Sequence, residues 1–188
     1  MRRTFGSTLV KLARKDPRIV LLIADVFQEM EAFVTEFPNR FFNVGLAEQT
    51  MIGMAAGMAI EGLRPVVYTL TPFLLERPFE QVKLDIDEQN LPVMLVGNAD
   101  YPTHGPTHRP LNAEGLVGLL KNTVGYFPRS GAETEKAMLD AYLMARPAVI
   151  CLKNDRLPTV SCALEERKSF GSYIPPKNAI PFPSKRDV

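Results

Sequence analysis

Tryptophan is absent from the 188-residue sequence, and cysteine and histidine occur only twice each. Cys151 and Cys162 form neither a metal-type spacing nor a small disulfide framework, so the two thiols fit a reducing compartment. No apolar run reaches the ~18 residues of a membrane-spanning helix, and the basic N-terminus is not followed by the apolar segment of a signal peptide. These absences predict a soluble, cytoplasmic protein.

The sequence also lacks an excess of charge of either sign, since 22 basic residues face 21 acidic residues and the formal net charge is +1. A protein that binds nucleic acid or anionic membrane through its electrostatic field needs a marked basic excess, so we expect neither partner. With 46% hydrophobic residues, the chain is long enough to bury a full core.

Short apolar runs alternate with longer helical patterns along most of the chain, which predicts an α/β fold with three layers and a six-stranded, mainly parallel sheet. Several runs are almost continuously hydrophobic, as in strands buried on both faces. The predicted strands are Ile19–Ala24, Phe41–Val44, Val66–Leu70, Val93–Gly97, Val124–Phe127 and Ala148–Leu152. The predicted helices are about Thr4–Arg14, Glu48–Glu61, Leu75–Glu88 and Glu133–Ala145.

A change in composition after Leu157 predicts the end of the domain. A charged stretch and then a proline-rich stretch follow, both with little periodicity. We therefore expect a domain over residues 1–157 and an extended or disordered tail over 158–188. The alternative is a tail that straps across the domain or a partner through its aromatic residues, Phe170, Tyr173 and Phe182.

The segment Phe37–Gly57 joins a short strand directly to a helix that opens on Glu48. Open α/β sheets bind ligands at the carboxyl edge of the strands, and a carboxyl group there among apolar neighbours would be partly desolvated. Taken alone, the spacing favours a first-turn glutamate that only complements the helix dipole.

The order of residues in this segment resembles that of a known family. RFFNVGLAEQ (Arg40–Gln49), followed by MIGMAAGMAIEGLRPVV, resembles the pyrimidine-binding domain of the transketolase and deoxyxylulose-phosphate synthase family. Further matches to that domain follow in the same order over roughly residues 4–156. They are Asp16–Val20, Ile23–Asp25, Phe79–Val82, Asn90–Val93 and Gly105–Pro110.

The resemblance implies the thiamin diphosphate-binding fold, with thiamine diphosphate as the cofactor. In this family the glutamate at the position of Glu48 hydrogen-bonds a nitrogen of the cofactor's aminopyrimidine. A proton shared there favours the imino tautomer of the ring, which activates the thiazolium carbon. Burial of Glu48 in an apolar pocket would serve this chemistry, because it favours the neutral, proton-donating carboxyl group.

Four other residues are implied as cofactor contacts. Phe73 is the expected aromatic that stacks on the pyrimidine, with Phe79 as another wall of the pocket and Arg77 beside them. Either aromatic could equally be ordinary core. Asp25 resembles an aspartate that approaches the thiazolium ring, and the alternative is that it only caps the following turn.

Substrate contacts are implied for His104, His108 and Lys153, and His108 would also assist proton transfer. Pro106 between the two histidines makes a helical metal-binding pair improbable, so no metal site is expected in this chain. The family usually has an aspartate where this sequence has His104. Lys153 replaces a phosphate-binding arginine, and a lysine can hold a phosphate only as a point charge.

The Gly-Asp-Gly sequence that anchors the cofactor's diphosphate in this family is absent. Magnesium or calcium, and with it the diphosphate, should therefore be bound by a partner chain or domain. The small residues of helix 48–61 suit a homodimer interface. We expect a transketolase-like subunit that transfers a two-carbon ketol unit between sugars. The alternatives are the β-subunit of a 2-oxo acid dehydrogenase or decarboxylase, and a non-catalytic assembly domain.

Overall fold

A parallel sheet forms the centre of the computed structural model, which describes residues 1–98, 105–110 and 112–153. Within these residues the sheet has six strands in the order β2-β1-β3-β4-β6-β5, and every neighbouring pair is parallel. The strands are β1 (Ile19–Ile23), β2 (Phe41–Asn43), β3 (Arg64–Leu70), β4 (Met94–Asn98), β5 (Val124–Tyr126) and β6 (Ala148–Cys151). Each lies within two residues of its predicted position, and the predicted α/β fold is confirmed.

Helices cover both faces of the sheet. They are α1 (Arg2–Lys15), α2 (Glu31–Glu36), α3 (Glu48–Ile60), α4 (Thr71–Leu75), α5 (Phe79–Gln81), α6 (Ala113–Val117) and α7 (Gly131–Met144). A π-helical turn, Val82–Asp87, and two 3-10 turns, Pro38–Arg40 and Pro106–His108, complete the list. The predictions for α1, α3 and α7 hold to within two residues, whereas the sequence pattern did not indicate the short helices α2 and α6.

Alternating side chains of the central strands belong to two apolar clusters, one on each face of the sheet. Leu21 and Ile23 of β1 pack into the cluster that contains buried residues of α1 and α7. Leu22, between them, packs into the cluster on the other face, with α3. All five residues of β1 are buried. This burial on both faces explains why the strand reads as an unbroken apolar run instead of an alternating one.

The prediction of one helix over Leu75–Glu88 is wrong. The structure ends α4 at Leu75 and begins α5 at Phe79, with residues 76–78 between them. Pro78 lacks an amide hydrogen and disfavours helical backbone at the residue before it. The amide of Arg77 instead reaches back five residues to the Pro72 carbonyl, at 3.2 Å.

Asp87, at the end of the π-helical turn, holds the chain segment that leads into β5. Its buried carboxylate accepts hydrogen bonds of 2.7–2.9 Å from the amides of residues 121–123 and from the Thr123 hydroxyl. Burial raises the pKa of Asp87, but the hydrogen bonds from residues 121–123 together outweigh burial, so the net pKa is lowered. The ionised carboxylate therefore fixes this segment.

Asp16 organises the opposite, amino edge of the sheet, between α1 and β1. The Arg18 guanidinium donates to both carboxylate oxygens, at 2.9 and 2.8 Å, and the Tyr142 hydroxyl donates at 3.1 Å. The hydrogen bond from the Arg18 side chain is the main reason why the pKa of Asp16 falls to about 2, while burial opposes that shift.

Residues 158–188 lie outside the described part of the chain, so the predicted tail stays a prediction. In the part that the structure describes, no helix is both long and apolar enough to cross a membrane.

Replacing Asp87 with alanine should lower the free energy of unfolding by about 2–4 kcal/mol, because several buried donors lose their acceptor. The shift of the urea midpoint measures this loss. Glu88→Ala is the matched control, since Glu88 is half exposed and lies 3.9 Å from Lys121. It should change stability by roughly 0.5 kcal/mol or less. Equal losses in the two variants would contradict the role given to Asp87.

Replacing Asp16 with asparagine should destabilise the protein at neutral pH and have progressively less effect in acid. A lowered native pKa contributes stability above the unfolded value, about 3.9, and that contribution disappears as pH falls through about 2. Unfolding midpoints of wild type and variant should therefore converge between about pH 4 and pH 2. Glu135→Gln, which removes an exposed ion pair with Lys11, should show little such convergence.

Candidate active site

Glu48 begins α3 at the carboxyl edge of the sheet. β2 ends at Asn43, and Gly45 turns the chain with a φ of 72°, a conformation that side chains rarely adopt. The turn brings Glu48 inward, where only 5% of its side chain is exposed. Met51 and Ile52, in the next turn of α3, are fully buried. The predicted desolvated carboxyl group at this edge is therefore present.

Arg77 links Glu48 to Phe73. Its Nη1 donates to Glu48 Oε1 at 2.8 Å, and its guanidinium carbon lies 3.8 Å from the centroid of the Phe73 ring. The Arg77 side chain is 43% exposed, whereas Phe73 is 6% exposed. One planar cation thus bridges a buried acid and a buried aromatic ring.

His108 also contacts Phe73. Its ring and the Phe73 ring are 4.9 Å apart between centroids, edge to face at 71°. The Thr107 hydroxyl lies 3.0 Å from His108 Nδ1. Glu48, His108 and the pair Phe73 and Arg77 come from three separate segments, and the structure brings them into one continuous cluster.

Phe73 owes its position to a close approach between α4 and β4. Thr71, two residues earlier, donates from its hydroxyl to the Asn98 carbonyl at 2.8 Å. A Cβ atom on Gly97 would lie 2.6 Å from that hydroxyl oxygen. The absence of a side chain at Gly97 therefore lets α4 begin directly against the sheet.

Asp25 lies beyond the end of β1, in a network that sequence reasoning missed. Asn43 donates to the Asp25 carboxylate at 2.9 Å and accepts from the amides of Asp25 and Gly45, at 3.2 and 3.0 Å. Asp25 has a φ of 53°, as residues in tight turns do. Asn43 therefore ties this turn to the one that leads to Glu48. An asparagine ahead of a glycine was the available signal.

The remaining predicted residues lie apart from the cluster or outside the described segments. Phe79 is partly buried and packs into the apolar core on the α3 face. Lys153 is exposed, two residues beyond β6. His104 lies outside the described residues.

Cys151, at the end of β6, is poorly suited to act as a nucleophile in this fold. Burial raises the pKa of its thiol to about 12, and the Glu114 carboxylate adds to the shift. The reactive thiolate is therefore scarce at neutral pH. Across residues 1–98, 105–110 and 112–153, no three histidine, cysteine or acidic side chains lie together as metal ligands.

Comparison with known proteins shows the family of this chain. A family model described as "Transketolase, pyrimidine binding domain" matches residues 1–159. The 1-deoxy-D-xylulose-5-phosphate synthase of Syntrophus aciditrophicus is 38% identical over 152 residues, which are 79% of this chain and 23% of that protein. The same enzyme of Syntrophotalea carbinolica is 40% identical over 144 residues, with 72% and 22% covered. The chain thus spans less than a quarter of these relatives.

A solved structure titled "Split gene transketolase, inactive beta4 tetramer" is also similar to this chain. The TM-score is 0.75 and the sequence identity 31%, over 85% of this chain and 53% of the other. The fold, the match over residues 1–159 and the buried glutamate at the start of α3 all fit one family. This chain belongs to the transketolase pyrimidine-binding domain family.

Proposed function

We propose that this chain is the pyrimidine-binding subunit of a split, thiamine diphosphate-dependent enzyme that transfers a two-carbon ketol unit between sugars. The observation that carries the proposal is the burial of the Glu48 carboxyl group within one cluster with Phe73. Membership of the family supports the cofactor. The likeness to a split-gene transketolase supports a division of the enzyme between two chains.

The residues of the cluster fit an aminopyrimidine. A carboxyl group suits the polar edge of such a ring, and an aromatic side chain suits its flat face. Both groups are shielded from water, at 5% exposure for Glu48 and 6% for Phe73. Thiamine diphosphate, when bound, supplies a thiazolium carbon that attacks carbonyl groups. Glu48 would hold a proton at the ring nitrogen, and Phe73 would orient the ring.

The other predicted site residues would act on the substrate and on the second ring. His108 lies against Phe73, and an imidazole can both donate and accept a proton, so it suits the substrate's carbonyl oxygen. Asp25, held by Asn43, offers an exposed carboxylate to the cationic thiazolium. His104 and Lys153 would contact the sugar and its phosphate.

The diphosphate end of the cofactor requires a hard cation with several oxygen ligands. We infer that magnesium or calcium is bound by a partner chain that carries the Gly-Asp-Gly sequence absent here. The enzyme would then be active only when both chains are combined.

A homodimer through α3 is the second part of the proposal. Gly53 and Gly57 lie on the exposed side of this helix, and a Cβ atom at either position would have no neighbour within 4 Å. Ile60 and Leu46 lie near the two ends of α3 and are 60% and 73% exposed. Such a flat surface with apolar ends allows close approach of a second copy. The split-gene relative assembles as a β4 tetramer by its title.

Replacing Glu48 with glutamine or alanine should reduce turnover at least about 100-fold, because a positioned acid contributes about that much or more. The assay combines the chain with its diphosphate-binding partner, magnesium, thiamine diphosphate and pairs of ketose donors and aldose acceptors. Glu31→Gln is the matched control, since Glu31 also opens a helix but is exposed. It should leave turnover unchanged.

The same assay separates the alternatives. Turnover with 2-oxo acid donors and none with ketoses would favour the dehydrogenase or decarboxylase function. If size-exclusion chromatography shows intact complexes and the Glu48 variants match wild type, the chain serves assembly and the catalytic proposal fails.

Replacing Gly57 with leucine should weaken the homodimer about tenfold or more without unfolding the chain, because the added side chain meets nothing within its own protomer. Sedimentation equilibrium measures the dissociation constant. Ala132→Leu places the same side chain on an exposed position of α7 and should have no effect. An unchanged dimer in Gly57→Leu would show that α3 is not the interface.

A further inference from the structure

Arg77 makes, within this chain, the two contacts that a bound pyrimidine would need. It donates to Glu48 Oε1 at 2.8 Å and stacks over the Phe73 ring at 3.8 Å. We infer that Arg77 is an internal ligand that competes with the cofactor's pyrimidine for Glu48 and Phe73, and that its side chain must withdraw before the ring can bind. This inference rests on the proposed function of the cluster.

The chemistry of the two groups is alike. A guanidinium is planar, presents a fork of N–H donors and stacks on aromatic faces. An aminopyrimidine is also planar and carries an amino group beside a ring nitrogen. Contacts of 2.8 and 3.8 Å leave no space for a second plane between Arg77 and its partners. Glu48 Oε1 and the face of Phe73 that Arg77 covers can therefore serve only one of the two ligands at a time.

The structure also gives Arg77 a way out of the cluster. Its side chain is 43% exposed, while Glu48 and Phe73 stay buried in the protein. Its backbone is held separately, by an amide hydrogen bond to the Pro72 carbonyl at 3.2 Å and by the Gln49 side chain on its own carbonyl at 3.4 Å. The guanidinium can thus rotate into solvent while the turn keeps its shape.

Competition of this kind predicts the direction in which the affinity for the pyrimidine changes when Arg77 is replaced. If the site is open in only a fraction of the molecules, the apparent affinity for its ligand is reduced by that fraction. An ion pair and a cation–π contact of a half-exposed arginine are individually modest, and together they would weaken pyrimidine binding about tenfold. An arginine that instead contributed contacts to the pyrimidine would have the opposite effect, since its removal would weaken binding.

The test uses the full chain and, as probe, the hydroxymethyl aminopyrimidine that forms one half of thiamine, which needs no metal and no partner. Titration calorimetry on wild type and Arg77→Met, which keeps the stem and removes the guanidinium, should show about tenfold tighter binding in the variant. Arg77→Lys keeps the positive charge but loses the planar guanidinium, so its affinity for the probe should lie between those of wild type and Arg77→Met.

Two controls accompany the titration. Arg3→Met removes an exposed arginine that pairs with Glu29 at 3.6 Å on α1, which covers the opposite face of the sheet, and it should leave binding unchanged. In nitrogen-detected NMR of wild type, the side-chain Nε–H signal of Arg77, assigned by its loss in Arg77→Met, should shift as the probe is added. Circular dichroism and thermal unfolding check that each variant is folded.

The outcomes distinguish this inference from the proposed function. Equal or weaker binding by Arg77→Met, or an Arg77 signal that does not move while the probe binds, overturns the internal-ligand role. If Glu48→Ala binds the probe as tightly as wild type, the pyrimidine site itself lies elsewhere. If no variant binds the probe, both the proposed pyrimidine site and the inferred role of Arg77 are wrong.

Discussion

Removing a carboxyl group from water at the start of a helix requires compensation, and this requirement organises the carboxyl edge of the sheet. Glu48 loses almost all of its solvent contact, and Arg77 supplies a compensating hydrogen bond and charge. The same guanidinium covers Phe73, which in turn meets His108. The side chains at this edge are therefore held to one another.

The amino edge of the sheet is built in the opposite way, from closed networks between arginines and backbone carbonyls. Three arginines there donate to carbonyl oxygens at the ends of helices and the starts of strands. Arg40 binds the carbonyls of Ala13, Asp16 and Ile19, Arg64 binds that of Tyr142, and Arg146 binds that of Asn122. Satisfied groups of this kind stabilise a fold but offer little to a ligand. One edge is thus structural and the other is available for chemistry.

The sheet could be read from the sequence because its strands are buried on both faces and stand out as apolar runs between helical patterns. Glu48 could be identified only through the resemblance of its segment to the family, because a glutamate that follows a strand and opens a helix is also what the helix dipole alone favours. The contacts of Arg77 with Glu48 and Phe73 could not be derived in this way. The contact with Glu48 joins residues that are 29 positions apart in the chain, and the contact with Phe73 spans a helix break that local helical periodicity concealed. Asn43 was missed because its role lies in connecting two turns, which only the fold makes adjacent.

Pro78 carries a consequence for how such a chain can change over evolutionary time. The ring of this proline disfavours helical backbone at Arg77, so α4 ends at Leu75 and Arg77 lies in the turn that follows, against Glu48. A residue with an amide hydrogen at position 78 would relax this restriction and let the backbone of Arg77, and with it the geometry of its contact with Glu48, change. Substitutions at position 78, which belongs to no catalytic motif, would then change the affinity of the cluster for its ligand.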